Sequence, residues 1–111
     1  MKGTNLGEFE ELVLLTIAAL TTEAYSVAIC DHLTAHTGRA VKLGMVHAVL
    51  NRLETKGFLK SSLGEPTKER GGRRKRFYEL STAGKTALVR AKSLRDQLWS
   101  VIPEFVFKGM I

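Results

Sequence analysis

The stretch Lys42–Leu80 constrains the fold more than any other part of the chain. Val46, Val49, Leu50 and Leu53 recur at three- and four-residue spacing, which predicts a helix over about Gly44–Lys56 with one buried face. Gly57 stops that helix. Phe58–Leu63 and Arg76–Leu80 then read as two strands, joined through the basic run KERGGRRKR at Lys68–Arg76. The pair Gly71-Gly72 permits the positive φ of a tight hairpin turn. The helix face opposite the apolar stripe carries Gly44, His47, Ala48, Asn51 and Thr55, all small or able to hydrogen-bond. An ordinary solvent face would carry more Glu and Lys. Small residues let a helix backbone approach a groove, and polar ones reach base edges.

Charge placement points the same way. The chain holds 17 Lys+Arg and 11 Asp+Glu, for a formal net charge of +6. Lys68–Arg76 contains six of those cations and one anion, so nearly all the excess sits in nine residues. Like charges crowded together destabilise a fold, and such a cluster usually answers to an anionic partner. The partner expected here is double-stranded DNA. A solvated loop that only aids solubility is the plainer alternative, and the turn glycines weigh against it.

The other elements follow in order. Glu8, Glu10 and Glu11 crowd the start of a first helix, about Leu6 or Gly7 to Leu20, where the helix dipole favours anions. Its apolar residues cover more than one face, so a second subunit is expected to cover part of them. After a turn at Thr21–Ala24, a second helix spans about Tyr25–Thr37, with Val27, Ile29, Cys30 and Leu33 as inward candidates and Gly38 as its stop. Arg39–Lys42 reads as extended. Arg52 and Lys56 flank the third helix as candidate phosphate contacts. Ser81 is a good N-cap for a fourth helix, about Thr82–Val101. Ala87, Ala91, Leu94, Leu98, Val101 and Phe105 are spaced like a coiled-coil seam, and Pro103 should end the helix near Ile102. Such a helix after a complete domain needs cover. The preferred cover is the same helix of a second copy, and folding back on its own domain is the alternative.

Several classes are disfavoured. There is no glycine-rich phosphate loop after a strand and no nucleophile–base arrangement, so an enzyme is not expected. His32 and His36 stand four apart without a third ligand at useful spacing, so neither metal nor cofactor is expected. The longest apolar run, Leu12–Leu20, is about half a membrane span, and the glutamates near the start do not suit a signal peptide. A single cysteine, Cys30, fits a reducing, cytoplasmic setting.

The expected fold is therefore mainly α with a small β-hairpin (α+β). It is a winged helix-turn-helix over 1–81, followed by a C-terminal dimerisation helix and tail over 82–111. LGEFEELVLL at Leu6–Leu15, AYSVAI at Ala24–Ile29, LGMVHAVLNRLETKGFL at Leu43–Leu59 and EPTKERGGRRKRFYELSTAGKTAL at Glu65–Leu88 resemble the PadR-like transcriptional regulators. The run ERGGRRKRFY followed by L-[ST]-x-x-G is the most specific part. The resemblance implies a repressor that dimerises through its C-terminal helix and touches DNA with the third helix and the wing. It also implies a dimer interface able to hold a flat aromatic effector. This chain departs at His47, where many members carry Tyr, and at Ser26, where Gly is common. Its C-terminal region is short beside members with an additional helical domain.

The expected DNA-contacting residues are Gly44, His47 and Asn51 at base edges, with Arg70, Arg73, Arg74 and Lys75 at phosphate or the minor groove. Gly71 and Gly72 shape the tip, and Tyr25, Ser26 and Lys42 stand at helix starts. The expected dimer interface is Ala87, Ala91, Leu94, Leu98, Trp99, Val101, Ile102 and Phe105, with Trp99 also the candidate effector residue. The competing reading is a winged-helix module that docks protein or RNA.

Overall fold

In a computed structural model, which describes residues 6–65 and 74–110, the chain forms four helices and one antiparallel hairpin. Helix α1 spans Glu8–Leu20, followed by a 3-10 turn at Thr21–Glu23. Helix α2 is Ser26–Thr37, α3 is Leu43–Thr55, strand β1 is Leu59–Leu63 and β2 is Arg76–Leu80. Helix α4 runs Thr82–Ser100, and a short 3-10 turn closes the chain at Glu104–Phe107. The strands pair with Leu59 opposite Leu80 and Leu63 opposite Arg76.

The core lies between α1, α2, α3 and the hairpin. Val13, Leu14 and Ile17 of α1 meet Ile29 and Leu33 of α2 and Val46, Val49, Leu50 and Leu53 of α3, closed by Phe58, Leu59 and Tyr78. The α3 stripe is thus buried in full, as its spacing predicts. Gly57 has φ of +84°, where a Cβ would be strained, and there the chain turns from α3 into the hairpin. Ser81 caps α4, its Oγ accepting the Gly84 N–H at 3.1 Å and donating to the Gly57 carbonyl at 2.6 Å.

Cys30 packs against the core on the inward side of α2, half-buried, and its thiol donates to the Val41 carbonyl at 3.3 Å. Three expectations need correction. Val27 is exposed, because Ile29 and Leu33 alone of the α2 candidates point fully into the core. Strand β1 starts at Leu59 because the Phe58 N–H is taken by the Leu53 carbonyl at the end of α3. Arg52 and Lys56 are engaged inside the domain by Glu10.

Helix α4 does not fold back along its length. Ala87 and Leu88 pack beside the core, but Leu94, Leu98, Trp99, Val101 and Phe105 stand exposed, with Trp99 64% and Phe105 74% accessible. The Cα radius of gyration is 16.8 Å, against about 13 Å for a compact chain of this length. The difference reflects the projecting helix.

Candidate nucleic-acid interface

Helix α3 presents Gly44, His47, Ala48, Asn51 and Thr55 to solvent on the side opposite its buried stripe. Nothing lies within 4 Å of where a Cβ on Gly44 would sit, so the backbone there is open to close approach. Lys42 is the N-cap of α3 and is exposed.

The hairpin is fixed beside this helix by specific bonds. Ser61 of β1 donates to Glu54 Oε2 of α3 at 2.7 Å, and Arg76 of β2 donates to Ser61 Oγ at 3.0 Å. On the other side the Tyr78 N–H donates to the Ala24 carbonyl at 2.8 Å, joining β2 to the start of α2. The Tyr25 ring meets Phe77 edge-on at 5.7 Å between centroids. Lys75 Nζ lies 4.1 Å above the Tyr25 ring, an electrostatically favourable cation–π placement. Tyr25, Ser26, Arg74 and Lys75 are therefore gathered around the wing base. Arg74 and Lys75 are exposed there, while Tyr25 and Ser26 are half-buried. Arg70, Gly71, Gly72, Arg73 and Pro66 lie outside the described residues.

The first turn of α1 supplies charges that local sequence reasoning assigned only to the helix dipole. Glu8 takes both Arg39 guanidinium nitrogens at 2.8 and 3.0 Å. Glu11 takes Arg95 of α4 at 2.7 and 3.3 Å. Glu10, only 7% exposed, receives Arg52 Nε and Lys56 Nζ on the same oxygen, each at 2.9 Å, and its other oxygen accepts the Gly7 N–H at 2.9 Å. Burial alone would raise the Glu10 pKa. The Gly7, Lys56 and Arg52 bonds outweigh it and hold the carboxyl at about 2.

His32 and His36 stack on each other at 4.0 Å, with His36 Nδ1 3.0 Å from the His32 carbonyl oxygen. Among the described residues no group of three or more His, Cys, Asp or Glu could hold a metal ion. No helix among them is long and apolar enough to cross a membrane.

A helix-turn-helix followed by a hairpin is a winged helix-turn-helix, here with a small, polar helix face and a cationic wing base. The chain belongs to the transcriptional regulator PadR-like family, whose pattern matches residues 14–90. Members of that family are DNA-binding regulators of transcription, not enzymes. No curated protein matches the chain. Among solved structures, hsRosR-SG in a complex is 24% identical over 94% of this chain and 83% of that one, with a TM-score of 0.67. A PadR family transcription regulator from hypervirulent Clostridium difficile is 24% identical over 88% and 98%, with a TM-score of 0.66. A PadR family regulator from Eggerthella lenta is 22% identical over 92% and 88%, with a TM-score of 0.65. At these identities the likeness shows the fold.

Proposed function

We propose that the protein is a homodimeric repressor of a pseudo-palindromic operator. The observation that carries this reading is the exposed face of α3, small and polar along its length while the opposite face is core. In this reading two α3 helices enter successive major grooves about 34 Å apart. Gly44 and His47 approach base edges, and Asn51 pairs bidentately with adenine. Arg70, Arg73 and Arg74 take phosphate or the minor groove, with Lys75 in support and Tyr25, Ser26 and Lys42 on the backbone. Residues 1–81 are the reading unit and 82–111 the pairing unit. Leu94 and Leu98 on α4, with Val101 at its C-cap and Phe105 in the separate 3-10 turn beyond Pro103, support pairing, since that much exposed hydrocarbon favours a partner. An open groove of about 730 Å³ between the start of α1 and α4, walled by Leu6, Phe58, Ala87, Leu94 and Leu98, is suited to receive the second copy.

The stacked Trp99–Phe107 pair, 5.7 Å between centroids, fills the edge of that interface and is the place where a flat aromatic effector would stack.

The test is a salt titration of binding to the duplex upstream of the protein's own coding sequence, beside an unrelated duplex. Each wing arginine replaced by Ala should flatten the slope of log K against log[salt] by about one unit per arginine removed. Asn51→Ala should instead erase preference between the two duplexes. Equal loss on both duplexes would remove Asn51 from base reading. Binding of RNA or protein with no duplex binding would favour the docking-module reading.

A further inference from the structure

We propose that Glu10 is a positioning residue that sets the strength and salt dependence of DNA binding by withholding Arg52 and Lys56 from the phosphate backbone. The inference rests on α3 being the helix that enters the groove. Arg52 follows Asn51, and at 100° per residue its side chain leaves the helix on the flank of the base-reading face. It is 52% exposed, and only its Nε is tied to Glu10. Such an arginine, left alone, would reach the nearest phosphate on the groove wall. Lys56 lies one turn further along the same flank.

Both cations instead converge on one carboxylate oxygen of a different helix. That carboxylate is almost fully buried and is itself fixed by the Gly7 N–H. Arg39, just before α3, is likewise taken by Glu8. On the flank that faces α1 the Arg52 Nε and the Lys56 ammonium are thus taken by Glu10, while Arg74 and Lys75 stand exposed at the wing base. Phosphate contacts bind all sequences alike, whereas base contacts discriminate. Withholding backbone cations on α3 therefore weakens binding to operator and unrelated DNA alike and flattens its salt dependence, leaving discrimination to the base contacts.

The test compares wild type, Glu10→Gln, Arg52→Ala and the double variant, using the full chain, salt titrations on specific and unrelated duplexes, and thermal melts. In the wild type Arg52 touches no phosphate, so Arg52→Ala leaves the salt slope unchanged. Glu10→Gln frees Arg52 and Lys56 in each protomer and steepens the slope by about four units per dimer, so that raising salt from about 50 to 200 mM costs it about a hundredfold more affinity than it costs wild type. The specific and unrelated duplexes steepen alike, and adding Arg52→Ala takes back the Arg52 half of the increase. A Glu10→Gln protein that melts earlier but keeps the wild-type slope would make Glu10 a purely structural clamp. A flattened slope in Arg52→Ala, which stands even if Glu10→Gln does not fold, would also overturn the proposal. Wild-type protein that binds no duplex would overturn the DNA reading itself, a result distinct from either.

Discussion

Substituting Gly84 by alanine probes the joint between the hairpin and the projecting helix α4. Gly84 is buried in the first turn of α4, and a Cβ there would lie 2.2 Å from the Phe58 carbonyl oxygen and 3.1 Å from its carbon. These are backbone atoms without freedom to move aside. The Phe58 N–H donates to the Leu53 carbonyl at 2.9 Å, and the Phe58 carbonyl accepts the Ser81 N–H at 3.0 Å. To reach ordinary van der Waals contact, α4 and the hairpin must separate by about 1 Å, which breaks or bends the Ser81 bond. Overpacking of this kind costs about 1–3 kcal/mol, and the lost hydrogen bond adds about 1 kcal/mol. The better helix propensity of alanine returns about 1 kcal/mol. The net loss is about 1–3 kcal/mol, or a fall in Tm of about 5–15 °C for a domain of this size. Circular dichroism melts at fixed protein concentration measure it, with concentration held because pairing of copies would raise Tm by itself. Gly44→Ala is the internal control, since its Cβ would enter open space. That change should stabilise by about 0.5 kcal/mol. A Gly84→Ala protein that melts with or above the wild type would refute the close approach and the rigid joint drawn from it.

Acid should release the Glu10 clamp. Its carboxyl is held at about 2 against an ordinary 4.5, so the folded state binds that proton less readily than the unfolded chain. The stabilisation is complete above pH 4.5 and fades as pH falls towards 2; it is worth on the order of 3 kcal/mol at neutral pH. Urea unfolding of wild type and Glu10→Gln should differ most at pH 7 and converge near pH 2, and a constant gap would contradict the assignment. Leu98→Glu places a charge in the apolar row of α4 and should shift the protein to monomer in sedimentation while weakening operator binding at least tenfold. A dimer that survives that change does not use this face. Trp99 is the single tryptophan of the chain, so its emission should shift to the blue as concentration drives pairing. A panel of planar ligands that leaves its emission unquenched at high concentration would retire the effector role.

Local patterns made much of this fold legible. The α3 stripe, the stop at Gly57 and the Ser81 cap each depend on residues a few positions apart, and each stands where its spacing places it. The small, polar face of α3 was legible for the same reason, as the complement of a buried stripe. What escaped depends on partners far along the chain. The three glutamates of α1 suit a helix N-terminus without further help, so nothing nearby marked Glu10 as buried. Its partners Arg52 and Lys56 lie 42 and 46 residues on, and Glu11 finds Arg95 at a separation of 84. The close approach at Gly84 is likewise to a backbone carbonyl outside its own helix, that of Phe58. Val27 failed for the opposite reason: α2 is apolar beyond the face it buries, and spacing could not choose among its candidates.

These non-local bonds bear on the proposed function directly. A dimer joined through α4 that reads DNA with α3 must hold its two reading helices about one helical turn of DNA apart. That distance is fixed by how α3 sits relative to α4 within each protomer. Helix α1 packs on both, and consecutive residues of its first turn, Glu10 and Glu11, reach α3 and α4 respectively. The acidic start of α1 therefore ties the reading helix to the pairing helix through adjacent side chains. Loosening either pair should widen the range of half-site spacings the dimer accepts before it lowers affinity for the best one. Binding to operators lengthened or shortened by one base pair reads that tolerance, and an Arg95→Ala protein as strict as the wild type would show that packing alone sets the spacing.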